Sequence, residues 1–230
     1  MPDLDFQIEG VEIVAQAASP LLALKLRVRN ADELEPIQTV ALRCQIQLEA
    51  ARRRYNEQER ERLLDLFGQP QRWGRTLRPL LWTNTSLVVP PFTVSKVVDL
   101  QLPCTFDFNV AATKYFAGLE EGSVPLTLLF SGTIFYKTEN GALQIAQIPW
   151  EKEARYSLPV RVWRELMEIY YRNTAWLCLR RDVFDRLSGY KTRRGLPTFE
   201  QTLERLLTII DEVEFGGARL AEPNGAETAL

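Results

Sequence analysis

The chain has 230 residues, 46% of them hydrophobic, enough to build a sizeable core without disulfide or metal staples. A net charge of −2 sets it apart from general polyanion binders, and the absence of histidine removes the Ser-His-Asp triad, the Cys-His pair and His-ligated zinc together. No apolar run reaches the roughly 18 residues of a membrane helix, and the opening MPDLDFQIEGVEIV lacks a basic-then-apolar leader pattern, so a cytoplasmic protein is expected.

The first half reads as β. Phe6 and Ile8 share one parity and Val11, Ile13 and Ala15 the other, with Gly10 between them marking a bulge or bend. In LALKLRVR, residues 22–29, apolar side chains alternate with small or basic ones, the period of a half-buried strand. The turn residues NADELEP follow, and then Val40, Leu42, Cys44, Ile46 and Leu48 form one face of a third strand. The connections are too short for parallel crossovers, so these three predict an antiparallel meander.

Residues 52–73 predict a charged, mostly solvated helical excursion. Arg52, Arg53 and Arg54 precede Glu57, Glu59 and Glu61, which points to intrahelical charge pairing, while Leu63, Leu64 and Phe67 supply an apolar face. Beyond it the β pattern returns. Pro90-Pro91 breaks one strand from the next, and Phe92, Val94, Val98, Leu100 and Leu102 share a parity. Phe106, Phe108, Tyr115 and Phe116 mark a connector with a short helix. VPLTLLFSGTIFYK, residues 124–137, is the strongest strand, and Asn140-Gly141 turns it back into Leu143–Trp150. About six or seven strands result, enough for a two-layer sandwich or a strongly curled sheet.

After Pro159 the period changes. Trp163, Leu166, Met167 and Tyr170 fall on one helical face, and Val183, Leu187 and Tyr190 repeat the spacing. Thr198 with Gln201 has the capping-box pattern that opens a third helix, expected to bury Phe199, Leu203, Leu206 and Ile210.

The chemistry-bearing residues are sparse. Cys44, Cys104 and Cys178 are odd in number, widely spaced and set among apolar neighbours, which predicts reduced, buried thiols. No Cys-x-x-Cys, phosphate-binding glycine loop or Gly-x-Ser-x-Gly occurs. The nearest carboxylate pairs are Glu120-Glu121 in a turn and Asp182 with Asp185 at a helix start, where acidic groups suit the macrodipole. No catalytic residue, metal or cofactor is therefore expected, and the chain reads as a non-enzyme.

Charge is polarised near the C-terminus. Residues 159–197 carry nine basic side chains against four acidic, and residues 198–230 seven acidic against two basic. Basic helices invite a helix-turn-helix reading; neutralisation by the acidic last helix is the alternative, since phosphate contacts dominate non-specific affinity.

The stretches GTIFYKTENGALQIAQIPWEKEARYSLPVRVWRELMEIYY and WLCLRRDVFDRLSGYKTRRGLPT resemble one uncharacterised bacterial family, most sharply over residues 130–207 and more weakly from Phe6 onward. That resemblance implies no assigned activity. It does imply genes placed beside those of high-affinity uptake nickel–iron hydrogenases and their maturation factors, hence an accessory or assembly role.

Together these readings predict an α+β protein: an antiparallel β-sandwich or curled sheet over residues 1–156, a helical cap over 157–215 and a disordered tail over 216–230. The expected function is non-catalytic binding of a protein partner, with hydrogenase subunits or maturation factors as candidates, through a sheet edge or the groove between sheet and cap. Trp82 and Trp176 are the candidate anchors, with Arg180, Arg181, Arg193 and Arg194 on the charged face. Nucleic-acid binding by the basic helices of 159–197 is the second reading, and a ligand inside the sandwich the third. The cap is expected to pack on the sandwich or on a second copy of the chain.

Overall fold

In the computed structural model, which describes residues 2–31, 35–138, 140–175 and 177–216, the alternating segments become eight strands. They are β1 (Leu4–Ile13), β2 (Leu21–Asn30), β3 (Ile37–Leu48), β4 (Leu80–Val89), β5 (Ser95–Pro103), β6 (Ser123–Lys137), β7 (Leu143–Gln147) and β8 (Glu153–Pro159). The strand beyond the expected six or seven is β8. Its segment EARYSLP buries only Ala154 and Leu158, too weak an alternation to stand out in the sequence.

The strands form two antiparallel sheets, one in the order β1-β2-β5 and one in the order β4-β3-β6-β7, with β8 also on β6. The expected meander is corrected here: β1 pairs with β2, but β3 crosses to the other sheet and pairs with β4 and β6. The reason lies in the inner faces. Leu22, Leu24, Leu26 and Val28 on β2 and Val40, Leu42, Cys44 and Ile46 on β3 all lie in one buried core, and two sheets face to face cover both rows. Phe6 of one sheet stacks on Phe130 of the other with centroids 4.2 Å apart. The register shift between Ile8 and Gly10 matches the bulge read at Gly10. Pro90 and Pro91 end β4 and carry the chain across, where Phe92 and Ile37 exchange backbone hydrogen bonds of 3.1 and 2.9 Å.

Strand β6 positions the surface described below. It has 15 residues and pairs along its length with β3. Its other edge is shared: β8 takes Ser123–Leu129 and β7 takes Thr133–Lys137. The loop joining β7 to β8 is pinned to the strand at both ends. Ile148 N–H donates to the Gly132 carbonyl (3.0 Å), and Phe130 N–H donates to the Lys152 carbonyl (2.9 Å).

Between β3 and β4 run α1 (Glu57–Arg62), α2 (Leu64–Phe67) and α3 (Trp73–Thr76); α4 (Val110–Gly118) precedes β6, and α5 (Val160–Tyr170) follows β8. The excursion is mostly exposed, as expected, but its inward side is not: Leu63 is buried, and the buried Tyr55 and Trp73 join Phe67, Tyr115, Phe116 and Trp163 in one aromatic cluster. Trp73 donates its indole N–H to the Gly68 carbonyl (2.9 Å), so its polar edge is satisfied inside.

The chain divides into two compact units, residues 1–175 and 176–230. Helix α5 belongs to the first, where Trp163, Leu166 and Met167 bury the face read from their spacing. The second holds α6 (Arg181–Arg193) and α7 (Phe199–Gly216), joined by contact of Phe184 with Phe199 at 5.4 Å. The burial expected for α7 is only partly realised, because Leu203 and Ile210 are exposed. The tail residues 217–230 lie outside the described residues. The fold class is α+β, and no described helix is long and apolar enough to cross a membrane.

Candidate functional site

The most concentrated buried polar cluster is built around Arg53 and Glu59, whose side chains are 8% and 3% exposed. Asn56 caps α1 by accepting from the Glu59 N–H (2.8 Å), and Glu59 reaches back to the Asn56 N–H. That capping box aims the carboxylate inward, where Arg53 donates to both of its oxygens at 2.8 Å. The Glu120 N–H donates a further bond of 2.9 Å, and Arg53 also donates to the Ser123 carbonyl. Burial alone would raise the Glu59 pKa; the Arg53 guanidinium and the two backbone donors outweigh it and hold the carboxylate below its ordinary range. Tyr55 and Tyr115 share a hydroxyl–hydroxyl bond of 2.9 Å beside it, and burial pushes both phenols up. Every N–H of the Arg53 guanidinium is matched, so the cluster ties the excursion to the loop before β6. The expected intrahelical pairing of the arginine run is corrected accordingly, since Arg53 lies ahead of α1 and pairs inward.

The thiols divide. Cys44 and Cys104 are buried, and burial pushes each up to about 12, while Cys178 is exposed, contrary to the expectation of a core residue. WLCLR reads as apolar, but its flanking leucine Leu177 is exposed as well. A thiol reagent at pH 8 should therefore label native protein at Cys178 alone and reach all 3 cysteines only after unfolding. Rapid labelling of a second thiol in the native protein would contradict this burial.

The sequence-predicted anchors separate. Trp82 is buried against Phe116 (centroids 5.1 Å apart), which gives it a packing role and leaves no ring for a partner to grip. Trp176 lies outside the described residues. Arg180, Arg181, Arg193 and Arg194 are exposed in the second unit. Arg180 pairs with Asp182 (2.9 Å), Arg181 pairs with Asp185 (3.1 Å), and the Arg194 guanidinium lies over Tyr190. Of the basic residues of 159–197, Arg161, Arg164 and Arg172 fall in the first unit, and Arg164 donates to the Leu119 carbonyl (2.9 Å).

The outer faces of the two sheets differ in kind. That of β1-β2-β5 is laced by cross-strand ion pairs: Lys25 bridges Glu12 and Asp99 at 2.8 Å each, and Arg27 meets Glu9. The outer face of the five-stranded sheet carries a groove of about 520 Å³. Its floor is Arg43 and Gln45 of β3, Asn84 and Ser86 of β4, and Leu129 and Ser131 of β6, with Trp150 of the β7–β8 loop at its edge. Trp150 is 89% exposed. Leu143 and Ile145 of β7 are also exposed on this face, opposite Lys137 and Phe135. Arg43 forms no ion pair among the described residues. An indole, aliphatic side chains, amides, hydroxyls and one guanidinium together make a surface that can bind a peptide segment; Trp and Arg are the residues enriched at such centres.

Sequence reading passed over Trp150, Leu143 and Ile145, although the signal was present. Ser131, Thr133 and Lys137 mark the wet face of β6, and the Asn140-Gly141 turn sets the register that puts Leu143 and Ile145 on that same face.

A search of curated proteins returns no match. The family model described as "Family of unknown function (DUF6084)" matches residues 1–214, and the chain belongs to that family.

Proposed function

We propose that this protein is a non-catalytic accessory factor that captures a protein partner on the outer face of its five-stranded sheet. The observation that carries the reading is Trp150: a large amphipathic ring, 89% exposed, held over a groove by a loop hydrogen-bonded to β6 at both ends. Leaving such a ring in water while the rest of the core is closed forgoes burial that a partner would supply. Arg43 in the floor favours a partner segment with an acidic side chain, and Leu143 and Ile145 favour apolar neighbours on it. The high pKa of Cys44 and Cys104 and the absence of histidine support the non-catalytic part of the reading. The gene neighbourhood implied by the sequence resemblance makes subunits and maturation factors of a nickel–iron uptake hydrogenase the first partners to test.

Trp150→Ala should weaken capture of the partner by about 30-fold, the effect of losing a hot spot of roughly 2 kcal/mol. The melting temperature should stay at the wild-type value, because the ring packs against little of its own protein. Equal capture by wild type and variant in a quantitative pull-down would remove this face from consideration.

A further inference from the structure

The second unit contains an apolar surface that its own two helices do not cover. On α7, Phe199, Leu203, Leu206, Ile210 and Val213 follow one another at spacings of four, three, four and three, the seam pattern of helices that pack on other helices. Leu207 and Ile209 flank the seam and widen it. Leu207 is 61% and Val213 71% exposed, and among the described residues of the unit only Thr202 is buried. On α6 no residue is fully buried. Where the two helices meet, an open, mostly apolar groove of about 370 Å³ is lined by Leu177, Leu179, Leu187, Phe184, Phe199 and Leu203, with Arg181 as its one charged residue. Two helices of 13 and 18 residues cannot enclose a core between them, and chains below about 40 residues gain stability by oligomerising.

Charge says what covers this surface. Helix α6 carries Arg181, Arg186, Lys191 and Arg193 against Asp182 and Asp185. Helix α7 carries Glu200, Glu204, Asp211, Glu212 and Glu214 against Arg205. The hairpin thus has one basic and one acidic helix. A two-fold axis that lays α6 of one hairpin against α7 of another places opposite charges together twice, because a two-fold interface repeats each contact. Arg186 and Arg193, seven apart, share one flank of the α6 stripe, and Glu204 and Asp211, also seven apart, lie beyond Leu207 on the outer side of the α7 seam. We infer that the α6–α7 hairpin is a homodimerisation element: a second copy of this chain closes it into a four-helix bundle, independently of the sheet face proposed above.

The test is sedimentation of the full-length protein at roughly 10 μM, above the micromolar Kd that a small two-helix interface supports. A mass twice that of the chain is expected. Leu207→Glu with Ile210→Glu should weaken the dimer by at least about 100-fold with an unchanged far-ultraviolet spectrum, since both side chains are exposed. Arg186→Glu with Arg193→Glu should weaken it, as should Glu204→Lys with Asp211→Lys, and mixing these two variants should restore a mixed dimer. Monomeric wild type, a dimer indifferent to the Leu207/Ile210 change, or no recovery on mixing would each overturn the proposal.

Discussion

Gly132→Ala is expected to be the most damaging single-methyl change in the protein, destabilising it by at least about 3 kcal/mol and sharply reducing the yield of folded chain. Gly132 sits mid-strand in β6 with φ of 144°, backbone that side chains avoid, and its Cα faces the neighbouring strand. A Cβ there would lie 2.1 Å from the Ala41 carbonyl oxygen and 3.2 Å from Leu42 Cα. Both obstacles are backbone, so neither can turn aside as a side chain would. Relief requires parting β3 from β6, the pair at the centre of the five-stranded sheet. Gly141 provides the contrast: its φ of 83° is strained for alanine but nothing lies within 4 Å, so Gly141→Ala should cost only about 1 kcal/mol. Thermal melts of the two variants side by side check the comparison. A Gly132→Ala protein melting within about 2 °C of wild type would contradict this packing.

Glu59→Ala should cost about 3–5 kcal/mol, because it leaves the Arg53 guanidinium buried without its counter-charge and removes one half of the α1 capping box. A fall on the order of 10 °C in melting temperature follows for a domain of this size. Replacing both partners, Arg53→Met with Glu59→Leu, should be milder than either single change, since no charge is then stranded. The pH dependence has a definite sign. The folded-state pKa of Glu59 lies below its ordinary value of 4.5, so its contribution is fully present above about that pH and is lost as pH falls through the lower, folded value. Glu59→Gln should therefore lose stability at neutral pH and flatten this part of the acid transition. A double variant as unstable as the worse single one would show that the pair acts through packing rather than charge.

Much of the fold was legible because it rests on local period. The rows Leu22 to Val28 and Val40 to Leu48 announce buried strand faces, Gly10 its bulge, Asn140-Gly141 its hairpin and Trp163 to Tyr170 its helix. What was not legible depends on which sheet a strand joins. Nothing in β3 itself says that it abandons β2, since the choice is made by packing Phe6 against Phe130, residues more than a hundred positions apart. The inward-facing pair of the charged excursion was hidden for a related reason. Arg53 and Glu59 look like a solvated charge run, and only the backbone donors at Asn56 and Glu120 make their burial tolerable. The candidate site shows the same limit. Tryptophan at 82 and tryptophan at 150 look alike in sequence; Trp82 is closed in by Phe116 of α4, whereas Trp150 rides on a loop that β6 holds at the surface.

The central claim is that the outer face of the five-stranded sheet holds a protein partner, and site-specific photocrosslinking in the native cell tests it most directly. A photoreactive residue at position 145, on the exposed face of β7, should yield one discrete crosslinked protein that disappears when Trp150→Ala is added. The same residue at position 7, on the ion-paired outer face of the other sheet, should yield none. No crosslink from position 145, or the same product from both positions, would contradict the account.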